Sequence, residues 1–202
     1  GINFPFHTNT YGQVYVSSNG FLSFGSGNTS RSNQNIPSST TPNDLIAWFW
    51  DDMNPTVSGT VHYQTIGNEF VIQFTNYNEY GGTGKITAQV RLNQNGDIMI
   101  LYKDIISPLD ILGATIGIEN NDGTIATNVN YNSAYVHNNL ALWIGLPVPS
   151  FITSVVPAAG QVASGEFVDV VATFTSDDED FPVGTYANEL ELSTNDLPTP
   201  PL

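Results

Sequence analysis

The chain contains no cysteine. That excludes disulfide scaffolds, thiolate metal sites and thiol nucleophiles together. Basic side chains are nearly as scarce: 4 Lys and Arg stand against 19 Asp and Glu, a formal net charge of −15. Such a surface repels the phosphates of nucleic acids and of anionic membranes, so neither is expected as a partner. Charged residues of both signs make up only 11% of the chain, against roughly 25% in an ordinary soluble domain. No apolar run approaches the roughly 18 residues of a membrane-spanning helix. The sequence opens at Gly1 without the basic and then apolar pattern of a leader, and is expected to be a mature chain or an internal fragment.

What is present suits a packed β protein. Hydrophobic residues make up 40% of the 202 positions and aromatics 11%, enough for a sizeable core. Alternation of period two dominates, and no helical stripe is found. Tyr15-Val16 leads through Ser18-Asn19-Gly20 to Phe21-Leu22-Ser23-Phe24. Val61 to Thr65 turns at Gly67-Asn68 into Phe70 to Phe74. Ile86, Ala88, Val90 and Leu92 share a face, and Asn95-Gly96 turns that strand into Ile98 to Tyr102. Thr115 to Ile118 meets Asn121-Asp122-Gly123, and Leu140 to Ile144 is a short apolar strand. Asn-Gly pairs supply the positive φ angles of tight hairpins, so the reading is all-β.

A composition change marks Leu146-Pro147-Val148-Pro149 as a stiff, extended linker. Residues 1–150 carry every basic side chain and 10 acids, net −6, whereas residues 151–202 carry 9 acids and no base. The expected organisation is a domain over 1–146, a Pro-rich linker over 147–150 and a second β segment over 151–202. A complete immunoglobulin-like sandwich needs about 100 residues and seven strands. The second segment is therefore expected to be partial.

The first segment resembles nidogen-like domains. Val16-Ser17-Ser18-Asn19-Gly20-Phe21-Leu22-Ser23-Phe24 is similar to their "V-S-x-N-G-x-x-S-F" hairpin. Ile46-Ala47-Trp48-Phe49-Trp50-Asp51-Asp52 resembles their "I-A-P-F-W-A-D" block, and Gly59-Thr60-Val61-His62-Tyr63 their "G-x-V-x-Y" strand. Gln89-Val90-Arg91-Leu92 with Asn95-Gly96, and Ile116-Gly117-Ile118, resemble two later strands. Trp48 stands where animal members have Pro, which implies a bacterial relative. The second segment resembles bacterial immunoglobulin-like repeats through Val156-Pro157, Gly184-Thr185-Tyr186 and Ser193-Thr194-Asn195-Asp196. The resemblance implies a nidogen-like β-sandwich followed by a partial immunoglobulin-like module. Both kinds serve as non-catalytic surface, adhesive or spacer units of large extracellular proteins.

Candidate site residues are few. In a regular strand Trp48 and Trp50 share one face and Phe49 takes the other. Buried, they form a core strand; on the solvent side, Trp48 and Trp50 would make a platform for sugar rings. Asp51, Asp52 and Asn54 follow at once. Adjacent carboxylates repel unless donors or a cation compensate them, and calcium takes carboxylate and amide oxygens. The spacing is not that of an EF-hand, because Val57 stands where the sharp turn needs Gly. Asp177, Asp178 and Asp180, with Glu179, form a second acidic run that reads as a solvated loop or a second calcium candidate. His7, His62 and His137 lack the spacing of a zinc site. Gly81-Gly82-Thr83-Gly84-Lys85 fails as a phosphate loop, with Glu79 where Gly is needed and Ile86 where Ser or Thr would hold magnesium. No nucleophile elbow surrounds any serine. Asp51, Glu69, Glu79 and Glu119 are the carboxylates from which a glycosidase pair would have to come.

The reading is a non-catalytic structural or adhesive module of a secreted or cell-surface bacterial protein. Its expected partners are other protein chains or further domains of its parent, met by strand addition, or glycans. Calcium is the expected cofactor if there is one. A carbohydrate-binding accessory module of a secreted hydrolase or peptidase is the alternative, and requires exposed Trp48 and Trp50. A hydrolase would require two carboxylates facing across a cleft.

Overall fold

A computed structural model describes residues 2–145 and 152–174. The chain divides into two units, residues 1–146 and 147–202. All regular structure among the described residues is β.

The first unit begins with a small hairpin, β1 (Phe4–Phe6) and β2 (Asn9–Tyr11). Two five-stranded antiparallel sheets follow. One has the order β11 (Ala126–Tyr131), β10 (Thr115–Glu119), β5 (Leu45–Trp50), β4 (Phe21–Ser23), β3 (Tyr15–Val16). The other has the order β12 (Leu140–Ile144), β9 (Ile98–Ile106), β8 (Lys85–Asn93), β7 (Glu69–Asn78), β6 (Thr60–Ile66). The expected hairpins are all found, with the positive φ angles the turns demand at Gly20, Gly67, Gly96 and Gly123.

The two sheets bury their facing sides against each other, as a β-sandwich does. Ile46, Trp48 and Ile116 come from one sheet; Ile72, Phe74, Ile86, Val90, Ile100 and Tyr102 come from the other. The Trp48 ring stacks on Phe74 with centroids 4.1 Å apart, and Tyr77 meets both rings edge-on. The buried Tyr102 hydroxyl donates to the Trp48 carbonyl at 2.5 Å, which ties the sheets together through a satisfied polar pair. At one end the β1–β2 hairpin closes the sandwich, with Phe4, Phe6 and Tyr11 packed around Phe24 at 4.7–5.7 Å.

A second, smaller core lies on the outer face of the first sheet. It comprises Phe21, Leu45, Ala47 and Trp50. The segment between β4 and β5 has no strand of its own and is tied down over this side by side-chain bonds. Trp50 Nε1 donates to Ser30 O at 2.9 Å, Asn19 Nδ2 to Thr29 O at 2.9 Å, and Asn33 Nδ2 to Gly113 O at 2.7 Å. Thr115 Oγ1 donates to Gln34 O at 2.8 Å, and Ser38 N donates to Glu119 Oε1 at 2.5 Å.

The aromatic block departs from the expected alternation. The N–H groups of Trp48 and Phe49 both donate to the Gly20 carbonyl, at 3.1 and 2.9 Å. Opposite β10, Ala47 pairs with Gly117 and Trp50 with Thr115, so β5 holds one residue more than its partner. This is a β-bulge. It turns Trp48 and Phe49 into the main core and Trp50 into the second one. Trp48 and Trp50 thus lie on opposite faces, not on one.

In the second unit, β13 (Ile152–Val156) and β14 (Val171–Phe174) pair antiparallel. The Ser154 hydroxyl donates to Thr173 Oγ1 across them at 2.9 Å.

Candidate functional site

Binding surfaces of β-sandwiches grow where loops cluster at one end. Here the loops after β5, β7 and β9 meet at the end away from the aromatic hairpin. Met53 bridges to Glu79, Asp52 O accepts the Tyr80 N–H at 2.9 Å, and Asn54 N donates to Asn78 O at 2.7 Å. Glu79 Oε1 in turn accepts the Asp110 N–H at 3.4 Å. The backbone therefore assembles three acidic side chains, Asp51, Glu79 and Asp110, from three separate strand ends.

Space is left for them by glycine. A Cβ at Gly113 would lie 2.9 Å from Asp51 Oδ2 and 3.3 Å from Asp110 Oδ2, and one at Gly82 would lie 2.8 Å from Glu79 Oε2. Burial raises the Asp51 carboxyl above its ordinary value, and the charges of Asp110 and Asp52 push it the same way; its bond from Asp52 N opposes them. Glu79 is raised by burial and by the charges of Asp51 and Asp110. The cluster therefore attracts protons or cations, because carboxylates brought together disfavour full ionisation. The Arg31–Asp52 pair at 3.9 Å is too exposed to relieve this by more than about 1 kcal/mol.

The expected calcium residues do not converge. Asp51 faces Asp110 and Glu79, and Asp52 faces Arg31. Asn54 Oδ1 turns back to accept the N–H and hydroxyl of Thr56. Among the described residues no group of three or more His, Asp or Glu side chains is placed to hold a metal ion. Asp177, Asp178 and Asp180 lie outside the described residues.

Trp48 and Trp50 are both fully buried, one under each face of its sheet. Neither ring can stack on a sugar, so the condition for the expected platform is not met. Of the other carboxylates, Glu69 sits on the open face of the second sheet, 3.3 Å from Arg91. Glu119 is buried under the covering segment. Only Asp51 and Glu79 of the four candidate acids share a site. The three histidines are scattered over the aromatic hairpin, the edge strand β6 and the loop before β12.

Asp110 and the bulge were not readable from local sequence. Asp110 joins the cluster only because the loop after β9 brings it to the end of β7, where its N–H donates to Glu79 Oε1.

The fold and the site define an all-β sandwich domain, one sheet face of which is roofed by a long irregular segment. The chain belongs to the NIDO-related family, whose sequence pattern matches residues 1–163 and so runs through β13. Comparison with curated proteins and with solved structures found no match. No helix among the described residues is long and apolar enough to cross a membrane.

Proposed function

We propose that this chain is a non-catalytic structural and adhesive module of a secreted or cell-surface bacterial protein, making contacts with neighbouring proteins or extracellular matrix. Membership of the NIDO-related family over residues 1–163 carries the reading, since that family suggests an extracellular structural module. The low charge density and the many Asn, Thr and Tyr side chains suit polar, wet contacts. Burial of Trp48 and Trp50 removes the feature that favoured a carbohydrate-binding module. The immunoglobulin-like reading of residues 151–202 is supported by the β13–β14 pair, which ends in the Val156-Pro157 motif. Calcium at Asp51, Asp52 and Asn54 remains a proposal, supported by the charges of Asp110 and Asp52 that raise the Asp51 carboxyl and that a cation would offset.

The full chain, displayed on beads, should bind saturably to a subset of a panel of extracellular matrix proteins and leave a glycan array dark. Glycan binding in the absence of protein binding would overturn the reading. So would hydrolysis of a polysaccharide that is abolished by Asp51→Asn or Glu79→Gln.

A further inference from the structure

The sandwich leaves a cavity of about 350 Å³ beside its aromatic hairpin. The cause is topological. Val61, Tyr63 and Thr65 of β6 stand in register with Phe74, Ile72 and Phe70 and so share their core-facing side. Across the seam the opposing edge strand β3 has only two residues, too few to cover them. Phe74 and Ile72 are fully buried, whereas Tyr63 is 73% exposed.

Five aromatic side chains line this gap, and no Lys, Arg, Asp or Glu does. Phe4, Tyr11 and Phe24 form one side, with Tyr11 stacked on Phe24 at a centroid distance of 4.8 Å. Tyr63 and Phe70 form the other, their rings 5.8 Å apart. A carboxylate stands behind the first side. Asp44 Oδ2 accepts the Tyr11 hydroxyl at 2.6 Å, and Asp44 is only 9% exposed. A buried Asp ordinarily has a cationic partner. Asp44 has none among the described residues, where the ion pairs are Arg31 with Asp52 and Arg91 with Glu69. His7 lies close enough to feel its charge, but burial holds that imidazole below its ordinary value and it is neutral at pH 7. The Tyr11 hydroxyl, pushed up to about 12 by burial and by Asp44, stays protonated and keeps donating.

We propose that this cavity binds a small organic cation, an alkylated ammonium ion free in solution. Aromatic rings attract a cation through their electron-rich faces, and most strongly one whose alkyl groups already keep water off its charge. The Tyr11 ring is made richer in electrons by its hydroxyl bond to a carboxylate. Asp44 and the net charge of −15 add attraction at longer range. An anion finds no base in the cavity and the charge of the whole chain against it. A metal ion needs several oxygen ligands, which an aromatic lining does not supply. A neutral apolar molecule gains the burial without the electrostatic attraction. The volume falls in the range of small-molecule sites, which begins at roughly 300 Å³. This does not rest on the adhesive reading.

Choline and its neutral isostere dimethylbutanol have one shape and differ in charge. Isothermal titration of the full chain should show a single choline site with a dissociation constant of about 1 mM or below. The isostere should bind at least about tenfold more weakly. Phosphocholine and phosphatidylcholine vesicles carry a phosphate that the chain repels, so both should bind more weakly than choline, which separates a free cation from a lipid headgroup. Tyr63→Leu removes a ring but keeps an apolar side chain on an exposed strand, and should weaken choline at least about fivefold. Asp44→Asn keeps an acceptor for Tyr11 and removes the charge, with a similar loss. Trp143→Leu, at an exposed ring outside the cavity, should change nothing. Unchanged melting of each variant establishes that it folds. No choline binding up to about 10 mM, equal affinity for the isostere, tighter binding of vesicles than of choline, or an affinity that Tyr63→Leu leaves unchanged would each overturn the proposal.

Discussion

Glu119 should make the first unit less stable as pH rises through neutrality. It ends β10, is fully buried, and accepts the Ser38 N–H on Oε1, while Oε2 has no partner. Burial drives its carboxyl from the ordinary 4.5 to about 7, with the Ser38 bond acting against that rise. A folded-state value above the unfolded one means that stability is full below about pH 4.5 and is lost as pH climbs through about 7. A shift of about 2.5 units corresponds to about 3 kcal/mol of stability lost between about pH 4 and about pH 9. Glu119→Gln keeps an acceptor for Ser38 and removes the titration. Its amide will have no partner at the Oε2 position, a constant cost of about 1–3 kcal/mol that does not vary with pH. The test is therefore the slope and not the offset. Urea unfolding followed by tryptophan fluorescence reports this unit alone, because the three tryptophans, Trp48, Trp50 and Trp143, all lie in it. The other raised carboxyls, Asp51 and Glu79, are common to both proteins and cancel in the difference. Stability–pH curves that run parallel for wild type and variant would refute the reasoning.

Asp110→Asn should lower the Asp51 and Glu79 titration midpoints toward ordinary values and stabilise the fold at neutral pH by about 0.5 kcal/mol, since those carboxyls are raised partly by its charge. Carboxyl NMR titrations with unmoved midpoints would contradict the proximity argued for these acids. Millimolar calcium should raise the melting temperature relative to excess chelator, and Asp51→Asn should abolish the rise; equal melting in both conditions removes the calcium proposal. Gly20→Ala should cost more than about 3 kcal/mol, because its Cβ would fall 1.6 Å from the Phe49 carbonyl oxygen at a φ of +76°. A loss below about 1 kcal/mol in urea unfolding would mean that the bulge of β5 does not depend on that close approach.

The strands and their hairpins were legible because their causes are local. Asn19-Gly20, Gly67-Asn68 and Asn95-Gly96 can turn the chain wherever they occur, and alternation assigns each strand two faces. The bulge at Trp48 and Phe49 has a remote cause. It exists because one carbonyl, on Gly20 in the turn before β4, takes two donors from β5. Alternation fails there and nowhere announces it, which is why Trp48 and Trp50 were expected on one face. The acidic end was half legible. Asp51 and Asp52 adjoin in sequence, but Glu79 and Asp110 arrive from the ends of β7 and β9.

The edge strand shows most clearly where a sequence pattern stops informing. Val61, Tyr63 and Thr65 carry the same period-two signal as Phe70, Ile72 and Phe74, the residues paired with them. That signal reports which side of a strand faces the core side of its sheet. It does not report whether a second sheet extends far enough to lie opposite. Burial of Phe74 and exposure of Tyr63 differ only because β7 lies inside the sandwich and β6 lies beyond the end of β3. A core-type pattern thus names a side of the strand and not a depth of burial. The sequence of β6 is suited to burial that the described residues do not supply.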